Sequence, residues 1–337
     1  LRKDLGVKVV QAEDEIAGIS TAIGASFAGS LAATNTSGPG LALKAEAIGL
    51  AIMAELPLVI IDVMRGGPST GLPTKTEQTD LNQALYGRNG ESPLVVMAAD
   101  TPANCFHYAF MASKIALEHM TPVILLTDSF IGNGTSLWKL PKLEELPEIR
   151  PHYATKELNG NYKAVTRDEE TKVRYWAVPG TEGFEHRNGG LGKDYVTGAI
   201  STDSLNHEKM VETRKLKIDN VAASIPKLKI QGDADGDVLL VGWGSVYGHL
   251  LDAVEQANKQ GYKTALAHFN YILPLPENTQ EVFDRFNGKK IVVCELNNGQ
   301  FASYLKTKIS GLNLLQYNKV QGQPFTVHEI VDLVQSL

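Results

Sequence analysis

Along residues 7 to about 140, short continuous apolar runs alternate with stretches of helical period. Val7–Gln11, Ala32–Thr36, Pro57–Val63, Pro93–Met97 and Pro122–Thr127 read as strands. Between them, Ala17–Gly29, Leu41–Ala54 and Asn104–His119 read as helices, the first rich in Ala, Gly and Ser and so suited to close packing. Strands that are apolar throughout are buried on both faces, and their alternation with helices predicts a parallel sheet. Ligands of such sheets gather at the carboxyl ends of the strands. The loops of interest are therefore Glu13–Gly18, Thr36–Gly40, Arg65–Thr79 and Asp128–Thr135.

From about residue 141 the texture changes. Pro141, Pro147 and Pro151 punctuate an acidic stretch, a Gly-, Asn- and Thr-rich segment runs to Leu205, and a charged helix follows at Asn206–Lys217. Residues 141–231 are expected to connect two domains, with loops and room for a hairpin of their own. A second pattern fills 232–337, with strands at Asp237–Gly242, Lys263–His268 and Lys290–Glu295. Its helices are expected at Tyr247–Gln260, Asn278–Phe286 and Val327–Ser336. The predicted architecture is α/β: two doubly wound parallel-sheet domains, 1–140 and 232–337, joined by 141–231.

Composition narrows the function. The net charge is -6, from 32 Lys and Arg against 38 Asp and Glu, which gives no footprint for nucleic acid or an anionic membrane. The two cysteines, Cys105 and Cys294, lie far apart, so neither a disulfide framework nor a Cys-x-x-Cys site for zinc or an iron–sulfur cluster is expected. A reducing, cytoplasmic compartment follows as the expectation. Charge inside the first apolar stretch excludes a signal peptide there, and the run from Ala47 to Met64 is broken by Glu55 and Pro57. The chain opens abruptly, without an initiator Met, and is expected to begin inside a larger subunit.

Three loops carry candidate chemistry. Glu13, Asp14 and Glu15 mark a strand-to-helix junction. They could cap the helix and complement its dipole, or one glutamate could turn over the sheet to polarise a ligand heterocycle. Composition does not choose among the three. Thr34–Gly40 (Thr-Asn-Thr-Ser-Gly-Pro-Gly) could bring backbone N–H groups and the Thr36 and Ser37 hydroxyls close to a ligand at Gly38, or form only a tight turn. It is neither a P-loop nor a dinucleotide fingerprint. In Arg65–Lys75, an arginine at the end of a buried strand is followed by two glycines, Ser69, Thr70, Thr74 and Lys75. Its planar fork suits a carboxylate, supplied either by a ligand or by a neighbouring Asp or Glu. Tyr86–Glu91, Glu185–His186 and Gly242–Tyr247 are better explained as turns and packing, and Cys294 as a small core residue.

Together these segments resemble the α subunits of the 2-oxoacid:ferredoxin oxidoreductases. The likeness rests on Gln11–Gly18, Ile23–Ser26, Thr36–Gly40 and the highly specific Arg65–Gln78 string (Arg-Gly-Gly-Pro-Ser-Thr-Gly-Leu-Pro-Thr-Lys-Thr-Glu-Gln). It continues through Gly87–Glu91, Thr121–Val123, Leu126–Asp128, Asn206–Glu212, Trp243–Ser245 and Glu295–Gln300, and so covers nearly the whole chain. Within the family it looks most like the 2-oxoglutarate enzymes.

The resemblance implies a thiamine diphosphate pyrimidine-binding domain at 1–140 and a transketolase C-terminal-like domain at 232–337. It places the glutamate that meets the aminopyrimidine on Glu15, with Glu13 as fallback, and the cofactor's neighbours on Thr36, Ser37 and Gly38. The substrate carboxylate falls to Arg65, with Thr74 and Lys75 beside it. The implied activity is oxidative decarboxylation of a 2-oxoacid, with the acyl group passing to CoA and the electrons to ferredoxin. A β subunit would carry Mg²⁺, the diphosphate site and a [4Fe-4S] cluster. The family's Tyr-Pro-Ile-Thr-Pro loop would precede residue 1. The rival expectations are pyruvate, a branched-chain or an aryl oxoacid as substrate, a non-catalytic assembly subunit, or an unrelated small-molecule-binding protein.

Overall fold

The computed structural model describes residues 3–158 and 160–337. The first domain holds strands β1 (Ala33–Thr36), β2 (Leu58–Met64), β3 (Val95–Ala98) and β4 (Pro122–Asp128). Its helices are α1 (Glu15–Phe27), α2 (Gly38–Leu43), α3 (Ala45–Ala54), α4 (Leu81–Tyr86), α5 (Cys105–His119) and α6 (Ser129–Asn133), and α7 (Ser204–Asp219) lies in the connection. The second domain holds β5 (Ile230–Gly232), β6 (Val238–Trp243), β7 (Thr264–Phe269), β8 (Tyr271–Leu273), β9 (Lys290–Glu295) and β10 (Leu315–Asn318). Its helices are α8 (Tyr247–Lys259), α9 (Thr279–Asp284), α10 (Gln300–Lys308) and α11 (Val327–Ser336). Among the described residues no helix is long and apolar enough to cross a membrane.

Each domain is an α/β sandwich with helices on both faces of its sheet. The first sheet runs β1-β2-β4-β3-β8, the second β10-β9-β6-β7-β5. The four strands of each parallel core pair in parallel, and β8 and β5 add antiparallel fifth strands. The pleat divides the apolar residues between two layers. Leu58 and Ile60 of β2 pack with Ile19, Ile48 and Ile52 of α1 and α3, while Val59 packs with Met111, Ala112 and Ile115 of α5. In the second domain Leu240 and Val292 face α8 and α11, and Val241 and Val293 face the layer continuous with the first domain.

Two expectations are corrected. Val7–Gln11 is not a strand: Val7, Val9 and Val10 are exposed, the segment pairs with no strand, and β1 remains the outer strand of the sheet. The helix expected over Leu41–Ala54 is two helices that meet at Lys44, whose 1% exposed side chain donates to the Glu15 carbonyl at 2.8 Å. The structure also contains elements that the pattern did not indicate: β5, β8, β10 and α10.

The domains meet along a polar seam. Gln78, fully buried, donates its backbone N–H to Leu296 O and its side-chain amide to Trp243 O. Its side-chain and backbone oxygens accept from Leu296 N and Asn297 Nδ2. Close by, Glu77 accepts from Gly322 N at 2.9 Å, and Gln300 bonds to both Thr79 O and Asn82 N. Asp128 accepts from Ser245 Oγ and from two amides of its own helix cap. These bonds engage Glu295–Gln300 and Trp243–Ser245 in packing. His268 donates Nε2–H to Gly244 O at 2.9 Å.

The connection is clamped to the first domain by one carboxylate. Glu55, at a left-handed turn (φ 51°) after α3, is 2% exposed and accepts from Arg167 at 2.9 Å and Lys217 at 2.6 Å. Arg174 donates to the Glu55 carbonyl and Lys193 to the Met53 carbonyl. The two cations hold the Glu55 carboxyl well below the usual range, against the opposing effect of burial.

Removing one partner of a buried ion pair leaves the others uncompensated. Glu55→Ala should therefore lose about 3–5 kcal/mol of stability in urea titration at neutral pH. Acid should act through His268 as well. Burial lowers its pKa from 6.5 to about 4, so the neutral ring stabilises the fold above 6.5 and that contribution is lost as pH falls toward 4. Thermal melts of His268→Gln across this window should show a shallower acid decline than the native chain.

Candidate active site

The carboxyl ends of β1 and β2 open onto a cleft of about 560 Å³ lined by Gly38, Pro39, Ala42, Arg65, Gly67, Pro68, Ser69, Thr79, Asp80 and Gln83. Its size falls within the range of small-molecule sites. It is assembled from two strand-to-helix loops, as expected of a doubly wound sheet. The first runs from Thr36 at the end of β1 into α2, with Ser37 at the N-cap position and Pro39 in the first turn. The second leaves β2 at Arg65, and Thr79 Oγ1 returns to donate to Arg65 O at 2.9 Å. Gln83 of α4 donates to Gly38 O at 3.2 Å and so ties the two loops together.

Glycines make this approach possible. A Cβ on Gly38 would lie 2.5 Å and 2.7 Å from the Asp80 carboxyl oxygens. A Cβ on Gly40 would overlap Thr36 Oγ1 and lie 2.6 Å from Glu15 Cγ. Glu15, Thr36 and Gly40 are therefore in mutual contact, with the half-buried Glu15 side chain at the head of α1. Asp14 is the residue that caps α1, accepting from Ala17 N at 2.8 Å, and Glu13 is exposed. The three acids thus divide, and the capping reading falls to Asp14. Behind Glu15, burial lowers the pKa of Lys44, opposed by Glu15 and Asp14.

Arg65 is half-buried, and its Nε has no hydrogen-bond partner among the described residues. Asp80 is near enough for the guanidinium to lower its pKa, although burial, the larger effect, raises it. Of the expected site residues, Gly38 and Arg65 line the cleft, and Glu15 and Thr36 stand one turn away at Gly40. Ser37 makes no side-chain cap bond. Thr74 and Lys75 lie elsewhere. The loop closes on itself through Gly66 N to Lys75 O and Leu72 N to Gly66 O, leaving Thr74 exposed with φ 61° and the exposed Lys75 beside Gly322 of the second domain.

Sequence reasoning missed Asp62, Asp80, Gln83 and Lys44. The available signal was a charge within an apolar run: Asp62 interrupts Leu58–Met64, and Lys44 interrupts the apolar face of a helix.

Residues 2–200 match the family Pyruvate flavodoxin/ferredoxin oxidoreductase, thiamine diP-bdg. The chain is 47% identical over 329 residues to the 2-oxoglutarate oxidoreductase subunit KorA of Mycobacterium tuberculosis, covering 97% of this chain and 49% of that protein. It is 33% identical over 291 residues to the 2-oxoglutarate synthase subunit KorA of Archaeoglobus fulgidus, covering 86% of this chain and 75% of that one. Among solved structures it is similar to the 2-oxoglutarate:ferredoxin oxidoreductase from Magnetococcus marinus with 2-oxoglutarate, coenzyme A and succinyl-CoA bound. That match has a TM-score of 0.91 at 33% identity, and covers 99% of this chain and 58% of that one. The chain spans about half the length of the first curated relatives that it matches.

Since Gly40 leaves no room for a side chain, Gly40→Ala must displace Thr36 or Glu15. The expected cost is about 1–3 kcal/mol, read as a lowered urea midpoint with an unchanged slope.

Proposed function

Because the chain belongs to the α subunits of the 2-oxoacid:ferredoxin oxidoreductases, we propose that it forms the thiamine side of an active site completed by a β subunit, and that the substrate is 2-oxoglutarate. The observation that carries this reading is the convergence of a half-buried Glu15, the glycine-lined Thr36–Gly40 turn and an Arg65 with an unpaired Nε at the carboxyl ends of adjacent strands. Relatives named for 2-oxoglutarate, and a similar structure holding 2-oxoglutarate, favour that oxoacid over pyruvate and the branched-chain and aryl acids.

These residues suit thiamine diphosphate: a carboxyl group for a heterocycle nitrogen, hydroxyls and backbone N–H groups for its polar edge, and a close backbone approach. When bound, the cofactor supplies the electron sink for loss of CO₂ from the oxoacid. Glu15 accepts a hydrogen bond from, or holds a proton on, the aminopyrimidine ring. Thr36, Ser37 and Gly38 would form the turn that borders the ring. The Arg65 guanidinium binds the carboxylate next to the keto group and fixes the reacting carbon, a positioning role. Thr74 and Lys75 lie outside the cleft lining, so the cation for the distal carboxylate is assigned to the partner subunit. The same partner would carry Mg²⁺ and the [4Fe-4S] cluster, with CoA as acyl acceptor and ferredoxin as electron acceptor. A cytoplasmic location fits two unpaired cysteines.

The test is reduction of a viologen dye by this chain, extended to its natural start and co-expressed with its β partner. The substrates are 2-oxoglutarate, pyruvate and 2-oxoisovalerate, each with and without CoA and thiamine diphosphate. Reduction that requires both and is specific to 2-oxoglutarate supports the proposal. Another preferred oxoacid removes the substrate assignment, and no activity from a folded, cluster-loaded complex removes the enzyme reading. Arg65→Ala should lower kcat/KM by about 10²-fold or more through lost positioning. Glu15→Gln should lower kcat by about 10²–10⁴-fold.

A further inference from the structure

Among the described residues, Asp80 Oδ2 and Arg65 Nε of the cleft lining, and both carboxyl oxygens of Asp62 behind Asp80, are buried without a hydrogen-bond partner. Orphaned groups of this kind are costly one at a time, and their concentration means that something shared completes the set. Asp62 is the centre of it. It lies in the middle of β2, 0% exposed, on the sheet face of Leu58, Ile60 and Met64, with Thr36 and Leu126 as register neighbours.

Asp80 lies opposite. It holds the N-cap position of α4 yet makes no cap bond, the bond an aspartate there ordinarily makes. Its carboxyl is turned instead against Gly38 and toward Asp62. Two ionised carboxylates side by side in a dry site repel, and burial disfavours each charge as well. Burial, followed by the neighbouring Asp80, pushes Asp62 well above its ordinary range. Burial also raises Asp80, against Arg65. The charged groups that act on the pair are therefore Arg65, at the end of β2, and the two aspartates themselves.

We propose that Asp62 and Asp80 share one proton at the floor of the cleft, and that the singly charged pair so formed positions the Arg65 guanidinium for an incoming carboxylate. Asp62 donates its O–H to Asp80, which satisfies both acids with one hydrogen. The remaining charge on Asp80 draws Arg65 toward the cleft wall while its Nε stays free. A second charge would compete with the substrate carboxylate for the same guanidinium, and no charge would leave the guanidinium unanchored. The positioning half of the proposal rests on the reading of Arg65 given above; the shared proton does not.

Infrared difference spectra of the αβ complex at pH 7 test the proton. The native complex should show a carboxylic-acid C=O band that shifts in D₂O and vanishes in folded Asp62→Asn. Absence of the band, or its survival in that variant, overturns the shared proton. Calorimetric binding of 2-oxoglutarate tests the positioning. Asp62→Asn leaves the charge on Asp80 and one hydrogen bond to it, and should stay within about twofold of the native Kd. Asp80→Asn removes the charge that faces Arg65 and should bind at least about fivefold more weakly than the native complex. The double variant keeps the shape but loses the charge, and should bind at least about fivefold more weakly. A double variant that binds like the native complex, or an Asp62→Asn variant as weak as the double, overturns the positioning role. If the native complex binds none of 2-oxoglutarate, pyruvate and 2-oxoisovalerate, the reading of Arg65 fails with the positioning role, and the infrared band still decides the proton.

Discussion

All four hydrogen-bonding groups of the Gln78 backbone and amide oxygen–nitrogen pair engage the second domain, at Leu296, Trp243 and Asn297. Gln78 is fully buried, so each of those bonds must be made or its desolvation goes uncompensated. Gln78 also ends the loop that begins at Arg65, and Thr79 returns to the Arg65 carbonyl. The position of the arginine is thus set from a distance. The second domain contributes no residue to the cleft lining, yet through Gln78, Glu77 and Gln300 it anchors the far end of the loop that shapes it. This gives the second domain a mechanical role in a cleft that it does not line.

The parallel strands of both sheets other than β10 were legible because burial on two faces produces apolar runs that need no alternation to be recognised. The fifth strands were not. β8 is three residues long and pairs antiparallel with β3 of the other domain, so its conformation is decided by a tertiary contact. β5 and β10 carry Gln, Gly and Asn and look like loops in isolation. Val7–Gln11 shows the converse: β propensity without a pairing partner leaves an exposed segment outside the sheet. The break at Lys44 follows from a contact with Glu15, 29 positions away in sequence, which periodicity within one helix cannot register.

The candidate site was legible where its chemistry is concentrated in one loop. The glycines and hydroxyls of Thr36–Gly40 and the arginine that follows β2 announced themselves by composition. Thr74 and Lys75, close to Arg65 in sequence, fall outside the cleft lining because the loop doubles back at Gly66 and leaves both exposed. Asp62 and Asp80 escaped notice for the opposite reason. Each is a single acid in an unremarkable context, and only folding sets one against the other at Gly38.

The Glu55 clamp has a consequence for the integrity of the chain. Residues 134–146 run almost fully exposed between the first domain and the connection, with Leu137, Leu140 and Leu143 open to solvent. The ties across that stretch are non-covalent, and several are buried, among them Glu55 with Arg167 and Lys217, Gln78 with Leu296, and β3 with β8. Proteolytic nicking there would break the covalent thread while leaving those ties in place. The two fragments would stay associated as a complementing pair and part only on denaturation.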